Sequence, residues 1–377
     1  MNATIVLLPG DGIGPEVVDQ ARRVLEAVAQ LFGHRFKFEE HLIGGASIDA
    51  YGSALADDAL DACRKADAIL LGAVGGPRWD DPSAKVRPEQ GLLGLRKALG
   101  LWANVRPVRP YPELAGCSPL RPERLAGVDV VVIRELTGGL YFGQPRGREE
   151  VDGRRRAVDT LVYTDYEIAR VVELAFKLAR GRRRQVTSID KANVLESSRL
   201  WRQVAIEVSR NHSDIKLDHQ LVDSAAMRLV TAPSSFDVIV TENMFGDILT
   251  DEAAVLAGSL GLCPSASLGD TRCGVYEPIH GAAPDIAGKG IANPIGTILS
   301  AAMLLRHSLD LEAEAAAIES AVAATIAAGF RTADIAPTGS TGDIVPTSRM
   351  GAAIREHLDD HLVDHDVFGY LANRERY

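Results

Sequence analysis

The residues with the clearest chemical potential lie in the segment ENMFGDILTDE, residues 242–252, which directly follows the apolar run FDVIVT. Asp247 and Asp251 are four positions apart, so a helix beginning here would project both carboxylates from one face near its N-terminus. Such a pair suits a hard divalent cation, Mg²⁺ or Mn²⁺. The alternative is a pair of acids that only stabilises the helix dipole. Asp223, in LVDSAAMRL, could add a third oxygen ligand if folding brings it close.

Three arginines lie in or beside largely apolar segments, namely Arg96 in GLLGLRK, Arg106 in NVRPV and Arg134 in VVIREL. A buried guanidinium without an anionic partner is costly, so each needs a carboxylate from the protein or from a ligand. Because guanidinium binds carboxylates through paired hydrogen bonds, several convergent arginines predict a di- or tricarboxylate ligand. For any one of them, a structural salt bridge is an equally good explanation.

Two further candidates follow strand-like segments. Lys191 comes after QVTSID, and Tyr141 comes after the glycine pair in ELTGGLYFG. Loops at strand ends are where α/β enzymes place their sites. A lysine beside a metal can act as a base, and a tyrosine can pass a proton. Taken alone, each would be an ordinary surface residue.

The glycine-rich segment GDGIGPEV, residues 10–17, is similar to a dinucleotide fingerprint but does not satisfy it. Gly10 and Gly12 are followed by Pro15 where the fingerprint needs its third glycine, and no well-placed acid follows about 20 residues later. A tight turn from strand to helix explains the residues, with Pro15 near the helix start, where its missing N–H costs little. We therefore expect a structural turn here.

Composition limits the class of protein. Of the 377 residues, 46% are apolar and 24% are charged, which is typical of a globular protein. The formal net charge of −10 argues against a nucleic-acid surface. Two basic clusters, 154–156 and 182–184, are attributed to solvated turns and a helix end. There is no signal-peptide pattern, and no apolar run reaches the ~18 residues of a membrane span, so we expect a cytoplasmic protein without a membrane partner.

The elements that must position these residues follow an α/β pattern. Strand and helix signals alternate over the first 75 residues, which implies a parallel sheet with crossover helices. From residue 102 several extended runs follow closely, and a second domain is expected to start there. Alternation then resumes, with helices predicted at Asp165–Arg180 and Val194–Ser209. An Ala-rich helical tail after about residue 255 could pack back on the first domain.

Taken together, several segments resemble the isocitrate/isopropylmalate family of β-decarboxylating dehydrogenases. The resemblance covers the chain to about residue 350, with all segments in one order, and it rests on GDGIGPEV, GLLGLRK, NVRPV, VVIRELTGGLYFG, IDKANVL, VDSAAM, ENMFGDILTDE and EPIHGAAPDIAGKGIANP. It implies a two-domain α/β fold with mixed sheets flanked by helices, not a Rossmann fold. The first domain would comprise residues 1–101 and 258–377 and the second residues 102–257, with the site in the cleft between them.

The resemblance also assigns a nucleotide-binding segment, residues 277–293. Its members here are Glu277, His280, Gly281, Ala283, Asp285, Ile286 and Asn293. Asp285 would accept the adenosine ribose hydroxyls, and its charge should repel a 2′-phosphate, so NAD is expected rather than NADP.

By the same residue-level match, the three arginines would bind the substrate carboxylates. Asp223, Asp247 and Asp251 would carry Mg²⁺ or Mn²⁺. Lys191 would act as base on the substrate hydroxyl and Tyr141 would protonate the enolate left after CO₂ departs. Family members share Lys191 and Asp223 between neighbouring subunits, so the resemblance implies a homodimer.

The implied reaction is NAD-dependent oxidative decarboxylation of (2R,3S)-3-isopropylmalate to 4-methyl-2-oxopentanoate and CO₂, a step of leucine biosynthesis. Substrate choice rests on side chains that resemble an isopropyl pocket: Glu89, Leu92, Leu93 and Val194. Two leucines offer no partner for the third carboxylate of isocitrate. The alternatives are a relative acting on D-malate or tartrate and, in a different class, a non-catalytic regulatory subunit; the retained lysine, tyrosine and aspartates argue against the latter.

Overall fold

The computed structural model describes residues 1–79, 81, 84–337 and 344–364, with no side-chain detail from residue 360 onward. Within them the chain forms two compact units. The first comprises residues 1–99, 259–266 and the described part of 271–377, and the second comprises residues 100–258 and 267–270. The tail from residue 365, which the expected first domain includes, lies outside the described residues.

The first unit alternates strands and helices. Its strands are β1 (Asn2–Gly10), β2 (Arg35–Glu40), β3 (Ala68–Ala73), β11 (Pro264–Gly269, whose last three residues belong to the second unit) and β12 (Val275–Pro278). Its helices are α1 (Gly14–Phe32), α2 (Gly45–Tyr51), α3 (Asp57–Lys65), α4 (Glu89–Ala98), α10 (Ile295–His307), α11 (Glu312–Ala327) and α12 (Thr347–Asp364).

The sheet of the first unit has the order β2-β1-β3-β12-β11. The pairs β1–β2, β1–β3 and β3–β12 are parallel, as expected for strands joined by crossover helices. Strand β3 is buried at all six positions, which explains its uninterrupted apolar sequence. Helix α10 is buried from Ile295 to Leu305 and packs against α1, α11, β3 and β12, so it forms the centre of this unit's core.

The second unit holds the other elements. Its strands are β4 (Leu101–Val108), β5 (Val130–Glu135), β6 (Gly147–Val151), β7 (Arg154–Val158), β8 (Gln185–Asp190), β9 (Lys216–Leu221) and β10 (Val238–Thr241). Its helices are α5 (Pro122–Leu125), α6 (Asp165–Arg180), α7 (Glu196–Ser209), α8 (Val222–Thr231) and α9 (Asn243–Ala257).

Five strands of the second unit form a mixed sheet in the order β4-β5-β10-β8-β9. Strand β4 pairs with β5 in antiparallel fashion, and the other neighbours are parallel. The apolar core joins β5 and β10 to helices α8 and α9 through residues such as Val132, Ile239, Leu229 and Leu249. The carboxyl ends of β5, β8 and β10 therefore point to the same edge, where α9 begins.

Strands β6 and β7 form a separate two-stranded ribbon, exposed along almost its whole length. Arg154–Arg156 is solvated, as predicted, but the prediction of a turn is wrong, because these arginines form most of β7. Each faces a residue of β6, with Arg156 opposite Glu149 and Arg155 opposite Glu150. The Arg156–Glu149 ion pair spans 3.2 Å. Opposite charges across the ladder, which a turn would not need, account for the strand.

The predicted α/β class with mixed sheets is confirmed. The predicted helix Asp165–Arg180 has the observed bounds, and its Thr164–Glu167 capping box explains its start. In the described part of the chain, no helix combines the length and apolarity required to cross a bilayer.

Candidate active site

Arg134 is the centre of a polar cluster at the end of β5. The strand before it is wholly buried, and the Arg134 side chain is nearly so. Its Nε and Nη2 donate to Asn243 Oδ1 at 3.0 and 2.8 Å, and its Nη1 donates to Asp247 Oδ1. A Cβ on Gly246 would lie 2.7 Å from Arg134 Cγ, so the glycine in MFGDI lets helix α9 approach this arginine. Asp247 is therefore an anionic partner of Arg134 within the chain.

Tyr141 shares the same carboxylate. Its Oη donates to Asp247 Oδ2 at 2.9 Å, and its ring lies 5.8 Å from the Arg134 guanidinium carbon. Burial, and then the hydrogen bond to Asp247, raise the pKa of Tyr141 to about 12. The phenol is therefore protonated at neutral pH and can donate a proton.

Helix α9 begins as the sequence predicted. Glu242 caps it by accepting from Phe245 N at 2.7 Å and Met244 N at 3.2 Å. The buried position of Glu242 raises the pKa of its carboxyl group. Further along the helix, the Asp251 side chain is 70% exposed, and its Oδ1 lies 3.5 Å from Arg106 Nη1. Asp251 is thus an accessible oxygen donor beside a cation.

Arg106 is held by neutral side chains of the second unit. Its Nε donates to Asn104 Oδ1 at 2.6 Å and its Nη1 donates to Thr250 Oγ1 at 2.7 Å. Thr250 in turn donates to Asp247 O at 3.0 Å. These contacts align the guanidinium along the face of α9 that carries Asp247 and Asp251.

Lys191 and Asp223 form a pair of their own. Lys191 follows β8, Asp223 lies in the first turn of α8, and Lys191 Nζ donates to Asp223 Oδ1. This hydrogen bond lowers the pKa of the Asp223 carboxyl group. Across the residues that the structure describes, no group of three or more His, Cys, Asp or Glu side chains is placed to hold a metal. The three predicted metal ligands are therefore not gathered within one described chain.

In the first unit, the predicted substrate residue Arg96 meets the predicted nucleotide residue Glu277. Arg96 Nη2 donates to Glu277 Oε1 at 2.6 Å, and both side chains are largely buried. Arg96 Nε is also buried, and it has no hydrogen-bond partner among the described residues. A buried donor left unpaired is costly, so it is a position where a ligand oxygen would be stabilised.

The segment after β12 carries the other predicted nucleotide residues. His280 Nδ1 lies 2.9 Å from Gly281 O, whereas its Nε2 is buried without a partner in the described structure. Burial lowers the pKa of His280, so this ring is neutral at neutral pH. Asn293 is buried and donates to Asp334 Oδ2 at 3.0 Å. The remaining members are placed as follows: Ala283 has φ +41°, Ile286 packs against Ile13 and Val17, and Asp285 and Gly281 are exposed.

The residues predicted to form an apolar pocket stay outside the core. On α4, Leu95 is buried, whereas Leu92 is half-buried and Leu93 is exposed. Glu89, at the start of this helix, is exposed. In the second unit Val194 is also exposed, in the turn held by Val194 N donating to Lys191 O at 3.0 Å. These apolar side chains are available to a ligand.

The glycine-rich turn is structural, as expected, but its central residue has a role that the sequence did not reveal. The buried Asp11 carboxylate accepts from Gly45 N, Ala46 N and Gly75 N, each at 2.8 Å. Gly12, at φ +58°, could not carry a Cβ, which would lie 1.9 Å from Ala282 O. The turn therefore packs against the segment that is predicted to bind the nucleotide.

Sequence reasoning also missed Asn104, Asn243 and Glu135. Each is buried and orients a site element: Asn104 holds Arg106, Asn243 holds Arg134, and Glu135 accepts from the backbone of Thr137 and Gly138. The only available signal was their adjacency to residues already singled out, since Glu135 follows Arg134 and Asn243 lies within ENMFGD.

Comparison with known proteins identifies the family of the chain. A family model described as isocitrate/isopropylmalate dehydrogenase matches residues 4–354. The chain is 69% identical over 335 residues to a 3-isopropylmalate dehydrogenase of Anaeromyxobacter dehalogenans, covering 89% of this chain and 95% of that protein. It is 58% identical over 362 residues to a 3-isopropylmalate dehydrogenase of Geobacillus kaustophilus, covering 96% and 97%.

Among solved structures, the isocitrate dehydrogenase from Methylococcus capsulatus matches with a TM-score of 0.83 at 36% identity, over 94% of this chain and 99% of that one. This match and the family model confirm the fold type predicted from the sequence. The chain is a member of the isocitrate/isopropylmalate dehydrogenase family.

Proposed function

We propose that the chain catalyses the NAD-dependent oxidative decarboxylation of (2R,3S)-3-isopropylmalate to 4-methyl-2-oxopentanoate and CO₂, as a cytoplasmic enzyme of leucine biosynthesis. The observation that carries the proposal is the cluster in which Asp247 joins Arg134 to the protonated hydroxyl of Tyr141. Arg134 can bind a carboxylate, Tyr141 can act as an acid, and Asp247 can be an oxygen ligand of a metal. These three side chains are therefore in contact. The high identity to relatives that bear this enzyme's name supports the choice of substrate.

The substrate is a dicarboxylate, and the arginines are the groups that would bind it. Arg106 is hydrogen-bonded to Asn104 and Arg134 to Asn243, and these contacts would orient the two guanidinium groups toward a ligand carboxylate. Arg96 would use its unpaired Nε. The exposed side chains of Leu93 and Val194 and the half-buried side chain of Leu92 would contact the isopropyl group, with Glu89 at the pocket's edge.

A divalent cation fits the donor chemistry of this site. Asp223, Asp247 and Asp251 offer carboxylate oxygens, the ligands that Mg²⁺ and Mn²⁺ prefer. A cation held there would supply Lewis-acid chemistry that stabilises negative charge developing on the substrate. Asp223 would come from a second subunit, since among the described residues it is not grouped with two other possible metal ligands.

NAD fits the segment after β12. His280 presents a buried, unpaired Nε2, and the exposed Asp285 carboxylate is available to ribose hydroxyls while disfavouring a 2′-phosphate. Glu277, Gly281, Ala283, Ile286 and Asn293 would complete this surface. NAD⁺ held by these residues would supply the hydride acceptor for oxidation of the substrate.

The chain's own residues would move the protons. Lys191 would take the proton from the C2 hydroxyl, directly or through water, while the arginines hold both carboxylates. Loss of CO₂ leaves an enolate, and Tyr141 would donate its phenolic proton to C3. The phenol then regains a proton from solvent.

A homodimer is part of the proposal. Helices α8 and α9 expose large apolar side chains, including Met227 at 71% and Ile248 at 61%, together with Val230 and Val255. Exposed apolar surface on two adjacent helices is typical of a protein interface. The same helices carry Asp223 and Asp251, so pairing two copies here would bring site residues of both chains together.

The first test is NADH formation by absorbance with 3-isopropylmalate, isocitrate and D-malate, each with Mg²⁺, with excess chelator, and with NADP in place of NAD. We expect metal-dependent turnover of 3-isopropylmalate with NAD, far above the other combinations. Preference for D-malate would retain the mechanism and overturn the pocket assignment. Lys191→Met should abolish NADH formation while substrate still binds, and unchanged turnover would remove Lys191 as the base.

A further inference from the structure

Asn243 takes no part of its own in the proton transfers of the proposed reaction. It is the first residue of α9 and is only 1% exposed. Its Oδ1 accepts two hydrogen bonds from Arg134, and its Nδ2 donates to Gly138 O at 3.1 Å. Its backbone N–H donates to Tyr163 Oη at 2.9 Å. Both the oxygen and the nitrogen of the side-chain amide are therefore hydrogen-bonded, and Tyr163 holds the backbone of the same residue.

Gly138 belongs to the loop that carries Tyr141. The preceding Glu135 carboxylate accepts from Gly138 N at 2.7 Å. A Cβ on Gly138 would lie 2.5 Å from the Tyr163 ring, so the loop is packed tightly against that side chain. The carbonyl oxygen of Gly138 then points to the Asn243 amide. Any shift of Gly138 would be passed along three residues to Tyr141.

We propose that Asn243 is a positioning residue for the proposed reaction. One amide orients the guanidinium of Arg134 and fixes the loop of Tyr141, so the carboxylate-binding cation and the proton donor keep a constant spacing. The kinetic consequences of this inference rest on the proposed function. The hydrogen bonds themselves do not depend on it.

The side-chain chemistry explains why an amide is needed. Asparagine presents an acceptor oxygen to Arg134 and a donor nitrogen to Gly138 O. Aspartate keeps the oxygen but would face the Gly138 carbonyl with a second acceptor, and alanine offers neither group. Aspartate at the first position of a helix is favourable for the helix dipole, so Asn243→Asp should fold even if Asn243→Ala does not.

The kinetic test compares Asn243→Ala and Asn243→Asp with the matched control Asn211→Ala, an exposed asparagine outside the site. We expect Asn243→Ala to raise the KM for 3-isopropylmalate about tenfold and to lower kcat, since it releases both a charge-assisted hydrogen bond and the loop. In an Arg134→Ala background the same change should alter KM no more than about twofold, because the two residues act as one unit. Asn211→Ala should match the wild type.

Hydrogen exchange in the full-length protein supplies a readout that needs no substrate. Backbone amides of residues 136–143 should exchange faster in both Asn243 variants and at the wild-type rate in Asn211→Ala. Wild-type exchange together with wild-type KM and kcat, or a fall in thermal stability alone, would overturn the inference. If the wild-type protein does not turn over 3-isopropylmalate, the proposed function fails, and the exchange of residues 136–143 still decides whether Asn243 holds the loop.

Discussion

Tyr141 and Asp247 are joined by a hydrogen bond of 2.9 Å between the phenol and the carboxylate. Tyr141→Phe would remove this bond and the proton donor while keeping the ring beside Arg134. We expect kcat to fall by about 10²–10⁴-fold with a much smaller change in KM, because the group acts in the transition state. Steady-state NADH formation measures both constants. Tyr51→Phe, at an exposed tyrosine of α2, is the control, and a wild-type kcat in Tyr141→Phe would exclude the tyrosine as the acid.

Removal of one carboxylate should weaken metal binding. Asp251→Asn keeps the size of this exposed side chain and removes its charge, so we expect the affinity for Mn²⁺ to fall by more than about tenfold. Titration calorimetry with Mn²⁺ measures this, and NADH formation should require correspondingly more metal. Asp58→Asn, at an exposed acid in the first turn of α3, should bind Mn²⁺ like the wild type. Equal affinity in both variants would exclude Asp251 as a ligand.

Two glycines with similar backbone angles offer a matched pair for stability. Gly33, at φ +73°, has open space where a Cβ would stand, whereas at Gly12 the Cβ would collide with Ala282 O. Gly33→Ala should cost about 1 kcal/mol from backbone strain alone. Gly12→Ala should cost roughly 1–3 kcal/mol more and should weaken NAD binding, because the segment at Ala282 must shift.

Denaturant unfolding and NAD titration of both glycine variants test this difference. Equal losses of stability, with NAD affinity retained in Gly12→Ala, would mean that the turn does not support the nucleotide segment.

His307, at the end of α10, should make the protein less stable in mild acid. Burial, and then the positive charge of Arg306, lower the pKa of His307 to about 4, with Glu312 opposing them. The unfolded side chain has a pKa of about 6.5. Between these two values the unfolded state binds a proton that the folded state does not. The free energy of unfolding therefore decreases as the pH is lowered, by on the order of 3 kcal/mol at most.

The measurement is the free energy of unfolding at pH 7 and at pH 4.5 for the wild type and for His307→Gln. The variant should lose less stability over this interval than the wild type. Identical losses would show that His307 does not carry the effect.

Much of the fold could be predicted from the sequence because its signals are local. The capping box at Thr164 fixes the start of α6, and the apolar run FDVIVT followed by Glu242 fixes β10 and α9. The β6–β7 ribbon was missed, since cross-strand pairing of Arg156 with Glu149 depends on register, which charge patterns within one strand do not reveal.

The candidate site was predictable only in part for a related reason. Charged residues such as Arg134 and Asp247 stand out in apolar surroundings, whereas the groups that orient them are neutral or buried. Asn243 and Asp11 act through hydrogen bonds to distant backbone and side-chain atoms. Such contacts form only when the chain is folded, and the spacing of residues in the sequence does not predict them.

The parallel pairing of β3 with β12, through Ile69 opposite Val275, also bears on synthesis. Residues 100–258 and 267–270 are synthesised before β12, so the second unit can begin to fold while β3 still lacks that neighbour. We expect pulse-labelled nascent chains to protect β5 and β10 before β3, and simultaneous protection would contradict this order. During that interval the buried strand Ala68–Ala73 is an open apolar edge, the place where wrong association between chains would begin.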